Sequence, residues 1–245
     1  MSSVPLSALR FSDVSKRYGQ TDALSGLSLE VFAGQTFGLV GMNGAGKTTL
    51  LKCLLDFCQA DGGSIELFGV SSKLTSARAR LAFLPERFNP PFYLRGRDFV
   101  RYMLQMHDVQ YAQAAVETTF AELDLDLSAL DKPVRAFSKG MTQKLGLAAC
   151  FLARKDLYVL DEPTSGLDPK ARALLKRKLQ ALHEQGRTIF LTSHSLADVE
   201  ELCHSMALVH RGVLRFTGTP AELRTRYGGS LEQAFLACID SAGTH

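Results

Sequence analysis

Short apolar runs ending in small or charged residues recur along the chain, separated by stretches of helical periodicity. Leu27, Leu29 and Val31 alternate with Ser28 and Glu30, the period of a half-buried strand, and residues 9–31 as a whole read as β-structure. Ala33-Gly34 turns into a short apolar run, Thr36–Val40, which passes through a glycine-rich segment into Leu50–Leu55. Asp61–Ser64 is a turn before a short strand at Ile65–Gly69, and Ser76–Arg80 reads as a short basic helix before the apolar strand Leu81–Leu84. The continuous run Leu157–Leu160 and the segment Thr188–Thr192 have the pattern of buried parallel strands. Asp168-Pro169 opens a helix with Leu175, Leu179 and Leu182 on one face and Gly186 as its stop. Ser195–Cys203 reads as helix, and Met206–Val209 and Val213–Phe216 as strands. Two capping boxes, Thr219 with Glu222 and Ser230 with Gln233, then open short helices.

Between residues 96 and 151 strand patterning stops. Phe99, Tyr102-Met103 and Met106, then Ala115-Val116, Thr119-Phe120 and Leu123, recur at helical spacing, and a last helix is expected from about Thr142 to Ala153. This predicts a helical subdomain, residues 96–155, inserted into an α/β core made of residues 1–95 and 156–245. Just before it lies Pro85–Tyr93, where prolines bar regular structure and Phe88, Phe92 and Tyr93 look exposed. Such a loop either packs inward or contacts another protein.

The glycine-rich segment carries the first chemistry. Gly41-Met42-Asn43-Gly44-Ala45-Gly46-Lys47-Thr48-Thr49 follows a strand and opens a helix, the order a phosphate-binding loop requires. Its glycines let successive N–H groups curl around an anion at the positive end of the next helix. Lys47 would reach the β- and γ-phosphates of a nucleoside triphosphate, and the Thr48 hydroxyl would hold Mg²⁺. Asp161 and Glu162 end a buried strand; Asp161 is expected on Mg²⁺ and Glu162 on the water that attacks the γ-phosphate. Tyr18 sits in a loop-like setting, where it could stack on a nucleobase or simply cover the sheet edge.

Composition narrows the class. The 245 residues suffice for one sizeable core, and 46% hydrophobic against 22% charged residues is the balance of a globular protein. A net charge of +3, from 28 basic and 25 acidic side chains, does not point to nucleic acid. The basic run Lys176-Arg177-Lys178 reads as a solvated helix face. No apolar run approaches the ~18 residues of a membrane span. Met1–Leu6 lacks the pattern of a signal peptide, so a cytosolic location is expected. Five scattered cysteines without a C-x-x-C pair read as reduced core thiols, and Cys203-His204 lacks the second pair a metal site would need.

Taken together, the phosphate loop, Ser138–Met141, Leu157–Glu162, Ser165–Asp168 and His194 resemble, in order and spacing, an ATP-binding cassette (ABC) ATPase over nearly the whole chain. The resemblance implies a P-loop NTPase (RecA-like) α/β core with an N-terminal antiparallel β-subdomain and an inserted α-helical subdomain. It implies that Tyr18 stacks on adenine, that Gly41, Asn43, Gly44, Ala45, Gly46, Lys47, Thr48 and Thr49 form Walker A, and that Glu162 is the general base. His194 is then similar to the switch histidine at the γ-phosphate, and Asp168 belongs to the D-loop. Ser138, Gly140 and Met141 resemble the signature that binds the γ-phosphate of the opposite subunit. A second copy in a head-to-tail ATP sandwich is therefore implied, as is an integral membrane permease that would hold the chain at the inner face of the membrane.

Two positions depart from the family pattern. The signature reads Phe-Ser-Lys-Gly-Met, and the Q-loop position holds Glu86, a carboxylate that can still coordinate Mg²⁺ and the attacking water. Both departures are similar to ABC-2-type exporter ATPases. The competing reading is a single-cassette ABC ATPase without a transport role, such as those assisting iron–sulfur assembly; a P-loop kinase would leave Ser138–Met141 and His194 unexplained.

Overall fold

The chain was analysed as a computed structural model that describes residues 6–241, so the reading of Met1–Pro5 lies outside it. Strands β1 (Ser7–Tyr18) and β2 (Thr21–Phe32) form an antiparallel hairpin. Strand β3 (Thr36–Val40) follows, then the glycine-rich loop and helix α1 (Lys47–Leu54). Strands β4 (Gly62–Leu67) and β5 (Val70–Ser71) return to the hairpin, giving a four-stranded antiparallel sheet ordered β2-β1-β4-β5.

The second sheet takes β3 and adds β6 (Leu81–Leu84), β7 (Leu157–Asp161), β8 (Thr188–Ser193), β9 (Ser205–His210) and β10 (Val213–Gly218). Its order is β10-β9-β3-β8-β7-β6, parallel except for β10. Every residue of β3, β7 and β8 is buried, as the continuous apolar runs require of strands covered on both faces. The register sets Asp161 beside Thr192 and Ser193 beside Val40, so the carboxyl ends of three adjacent strands open at one edge.

Helices α2 (Gly96–Met106), α3 (Gln113–Glu122) and α4 (Lys139–Leu152) lie between β6 and β7 in the chain. Helices α5 (Pro169–Glu184), α6 (Leu196–Leu202), α7 (Pro220–Tyr227) and α8 (Leu231–Asp240) complete the fold, and both capping boxes close as their sequences direct. Two apolar layers result. One joins α2–α4 with α5, α6 and α8 against one face of the parallel sheet. The other fills the space between the parallel sheet, α1 and the antiparallel sheet, where Phe190 meets Phe37 at 6.0 Å and Phe11 at 6.3 Å between ring centroids.

Several local readings need correction. Helix α4 begins at Lys139, three residues before the expected start, because the Ser138 hydroxyl accepts the Met141 N–H and caps it there. Residues 75–80 form a 3₁₀ turn rather than an α-helix. On α2 the buried face is Phe99, Val100 and Leu104, while Tyr102 and Met106 point to solvent; the apolar stripe is rotated from the one expected. Phe88 is not exposed: it packs edge-on against Phe99, and an added Cβ at Gly146 of α4 would come within 2.9 Å of its ring. Phe92 and Tyr93 are exposed. Cys53 and Cys58 are not scattered, since their sulfurs lie 3.5 Å apart.

Phe190 is fully buried where the two sheets face each other, so Phe190→Ala removes contacts from both. The expected loss is about 3–5 kcal/mol, read as a lower denaturant midpoint with an unchanged slope.

Candidate functional site

The loop after β3 is shaped by backbone crowding. Gly46 has φ +110°, and a Cβ there would lie 2.6 Å from the Ala23 carbonyl oxygen; at Gly41 it would lie 2.5 Å from that of Val209. Only glycine satisfies both positions. The first intrahelical bond of α1 runs from Leu50 N–H to the Gly46 carbonyl at 2.9 Å, so the N–H groups of Lys47, Thr48 and Thr49 precede the helix's own acceptors. They open into a cleft of about 480 Å³ together with Asn43, Gly44 and Ala45. Donors and helix dipole there favour a polyanion.

Lys47 is buried, and its ammonium donates to the Gly41 carbonyl at 2.5 Å and the Met42 carbonyl at 3.4 Å. Burial pulls its pKa down, against the opposing pull of Glu162, Asp161 and Glu86. The Glu162 carboxylate stands 3.8 Å from it. Both acids at the end of β7 are also buried, and burial pushes each carboxyl above its usual range. The Thr192 hydroxyl donates to Asp161 Oδ1 at 2.5 Å and accepts the Glu162 N–H at 3.1 Å. Glu162 itself has φ +50°, which swings its side chain out of the strand's alternation, and its Oε2 lies 2.8 Å from His194 Nδ1. With an ionised Glu162 that ring nitrogen is the donor, leaving Nε2 free in the cleft.

The cleft thus brings together Asn43–Thr49, Glu86, Asp161, Glu162 and His194. Thr21, Asp22 and Ala23, at the start of β2, complete its wall. Tyr18 is not in that wall. It ends β1 rather than lying in a loop, half exposed, with its hydroxyl 3.5 Å from Cys58 Sγ and the Lys16 ammonium 5.4 Å from its ring centre. Ser138, Gly140, Met141 and Asp168 also lie outside the cleft. A Cβ on Gly140 would be 3.2 Å from the Gly166 carbonyl, and the Lys139 side chain lies across Gly166, so the starts of α4 and of the 165–168 loop form one surface. Gln143 donates to the Pro163 carbonyl at 3.2 Å behind them. Asp168 caps α5, accepting the Ala171 N–H at 2.8 Å.

Sequence reasoning passed over Thr192, which fixes both acids, and Thr21–Ala23. A buried threonine in an otherwise apolar strand, one residue before Ser193-His194, was the available signal. No sequence signal marks residues 21–23, because hairpin geometry carries them to the loop. Among the described residues no group of three or more His, Cys, Asp or Glu side chains could hold a metal by itself. The donors that fit Mg²⁺ are instead the Thr48 hydroxyl and the Asp161 oxygen left over from Thr192, the sparse protein ligand set this ion takes beside phosphate.

The ABC transporter family profile matches residues 24–165. The chain is 37% identical to the Nod factor export ATP-binding protein I of Paraburkholderia xenovorans (strain LB400) over 226 residues, covering 90% of this chain and 73% of that one. With the protein of the same name from Burkholderia thailandensis the identity is 40% over 220 residues, 87% and 71% of the two chains. A solved ATP-binding subunit of an ABC transporter superposes with a TM-score of 0.84 at 27% identity, covering 95% of this chain and 99% of that one.

Burial raises the Glu162 carboxyl, so the folded chain keeps that proton to higher pH than the unfolded chain does. The ionised carboxylate therefore costs stability above its folded pKa, and the cost vanishes below the unfolded value. Glu162→Gln is expected to raise the Tm of nucleotide-free protein at pH 7. The gain should shrink as pH falls through the carboxyl range and disappear below about pH 4, followed by thermal scans across pH.

Proposed function

Because this chain belongs to the ABC transporter family of ATP-binding proteins, we propose that it is the ATP-hydrolysing subunit of an exporter whose membrane pathway is a separate protein. The observation that carries this reading is the convergence of Lys47, Asp161, Glu162 and His194 on one phosphate-shaped cleft, with Ser138–Met141 lying outside it. ATP enters with its phosphates against the loop amides. Lys47 then exchanges the Gly41 and Met42 carbonyls for phosphate oxygens, trading neutral partners for charged ones.

Thr48 and Asp161 would hold Mg²⁺, with Glu86 at the mouth, and the ion would neutralise charge developing on the phosphates. Glu162 positions and deprotonates the attacking water; burial raises its pKa, which strengthens it as a base. His194 holds that carboxylate through Nδ1 and offers Nε2 to the γ-phosphate. Tyr18 meets the adenine from the rim.

Ser138, Gly140, Met141 and Asp168 are supplied to the cleft of a second copy arranged head to tail, which receives the same from its partner. Residues 1–95 and 156–245 act as the core of this motor and 96–155 as its helical subdomain. Among the described residues no helix is long and apolar enough to cross a membrane, so translocation falls to a permease holding this chain at the inner face. The similarity to two Nod factor export ATP-binding proteins supports transport over the iron–sulfur-assembly alternative. So does the exposed pair Phe92 and Tyr93, 5.8 Å apart between ring centres, in the loop that follows Glu86.

Glu162→Gln should bind ATP, lose about 10²-fold or more in turnover and accumulate as an ATP-bound dimer by size-exclusion chromatography; near-normal hydrolysis would remove Glu162 as the base. Lys47→Ala should weaken ATP binding about tenfold to a hundredfold by calorimetry, the worth of a lost charge-assisted contact. Coexpressed with its candidate permease, the chain should copurify from solubilised membranes; a wholly soluble chain would favour the alternative.

A further inference from the structure

Behind the nucleotide cleft, helix α1 ends in a feature that the ATPase reading does not use. Cys53 lies in its last turn. The chain then doubles back: Asp56 takes φ +61°, and the N–H groups of Phe57 and Cys58 both return to the Lys52 carbonyl, at 2.8 and 3.3 Å. That turn sets Cys58 over Cys53 with the two sulfurs 3.5 Å apart, in van der Waals contact. Both thiols are free, and both line a cavity of about 120 Å³ shared with Asp56 and Lys73. Cys53 is buried and Cys58 only half-buried. The other three cysteines are buried, and among the described residues none has a second thiol at hydrogen-bonding distance.

Cys58 has a second contact. The Tyr18 hydroxyl donates to its sulfur at 3.5 Å, and no other side chain partners that hydroxyl among the described residues. The tyrosine proposed to meet the adenine is therefore tethered to the thiol pair.

We propose that Cys53 and Cys58 are a peroxide-modified dithiol whose closure to a disulfide releases Tyr18 and weakens nucleotide binding through the base; this rests on the ATP-binding reading. The Cys58 thiolate attacks hydrogen peroxide, an S–O bond replaces the O–O bond, and hydroxide leaves and takes up a proton as water. The Cys53 sulfur then attacks the Cys58 sulfenic acid, an S–S bond replaces S–O, and a second water leaves. Each sulfur gives up one electron and the peroxide takes two. The cavity admits a molecule of that size, and the more accessible Cys58 is the first to react. Burial pushes the Cys53 thiol up to about 12, which slows the closing step. A disulfide draws the Cys58 sulfur toward Cys53 and away from the phenol. The phosphate half of the cleft, built on the other end of α1, keeps its own contacts.

The test uses the full chain, reduced or treated with hydrogen peroxide, and two probes: ATP and inorganic triphosphate. Intact mass should fall by two hydrogens, with peptides holding residues 53 and 58 cross-linked and dithiothreitol reversing the change. ATP affinity should then drop about tenfold, the size of one lost base–aromatic stack, while triphosphate affinity stays constant. Cys53→Ser should stop at a Cys58 sulfenic acid trapped by dimedone. Cys58→Ser, whose hydroxyl can still accept from Tyr18, should not respond to peroxide. Failure to form the cross-link, or a cross-linked chain that binds ATP as before, overturns the proposal. Equal weakening of both probes overturns the route through Tyr18. Failure of the reduced chain to bind ATP at all would instead remove the ATPase reading beneath it.

Discussion

Two carboxylates and one ammonium are held out of water at the carboxyl ends of adjacent strands, and much of the architecture exists to tolerate that. Asp161, Glu162 and Lys47 are all buried, and burial shifts each toward its neutral form. Uncompensated, such a cluster would not survive folding. Lys47 is satisfied by the carbonyls of its own loop, and Thr192 and His194 take one oxygen of each acid. The apolar layers on either face of the parallel sheet keep the strands from spreading to let water in. The cleft is thus pre-formed, with the N–H groups of Lys47, Thr48 and Thr49 ahead of the helix's own acceptors.

Much of this was legible in the residues because it is written in local chemistry. The phosphate loop announces itself by glycine spacing, and the capping boxes by side chains three apart. The acids of β7 are marked by the apolar run that ends in them. What was not legible depends on contacts between distant segments. Thr192 is one more β-branched residue until register sets it beside Asp161. Cys53 and Cys58 read as unrelated until a left-handed turn at Asp56 brings them together. The rotated stripe on α2 had the same origin: the period was right, but the face is chosen by what the helix packs on, and Phe88 helps choose it.

The site also separates into two parts on one chain. The cleft's residues cluster largely after the ends of β3, β7 and β8, whereas the start of α4 and the 165–168 loop form a second surface outside it. In the proposed head-to-tail pair each surface completes the other chain's cleft. In that arrangement an isolated copy would have Glu162 in its cleft but not the surface a second chain adds, and turnover would depend on association.

The lysine at position 139 gives that second surface a mechanical property. Its methylenes lie over Gly166, close enough that a Cβ there would be 3.0 Å from Cε. The space between the start of helix α4 and the loop is occupied by that side chain. Helix α4 and the 165–168 loop thus touch through that side chain, and α4 packs in the layer it shares with α2 and α3. Movement of the 165–168 loop is thereby linked sterically to the start of α4, with an exposed, flexible side chain as the link.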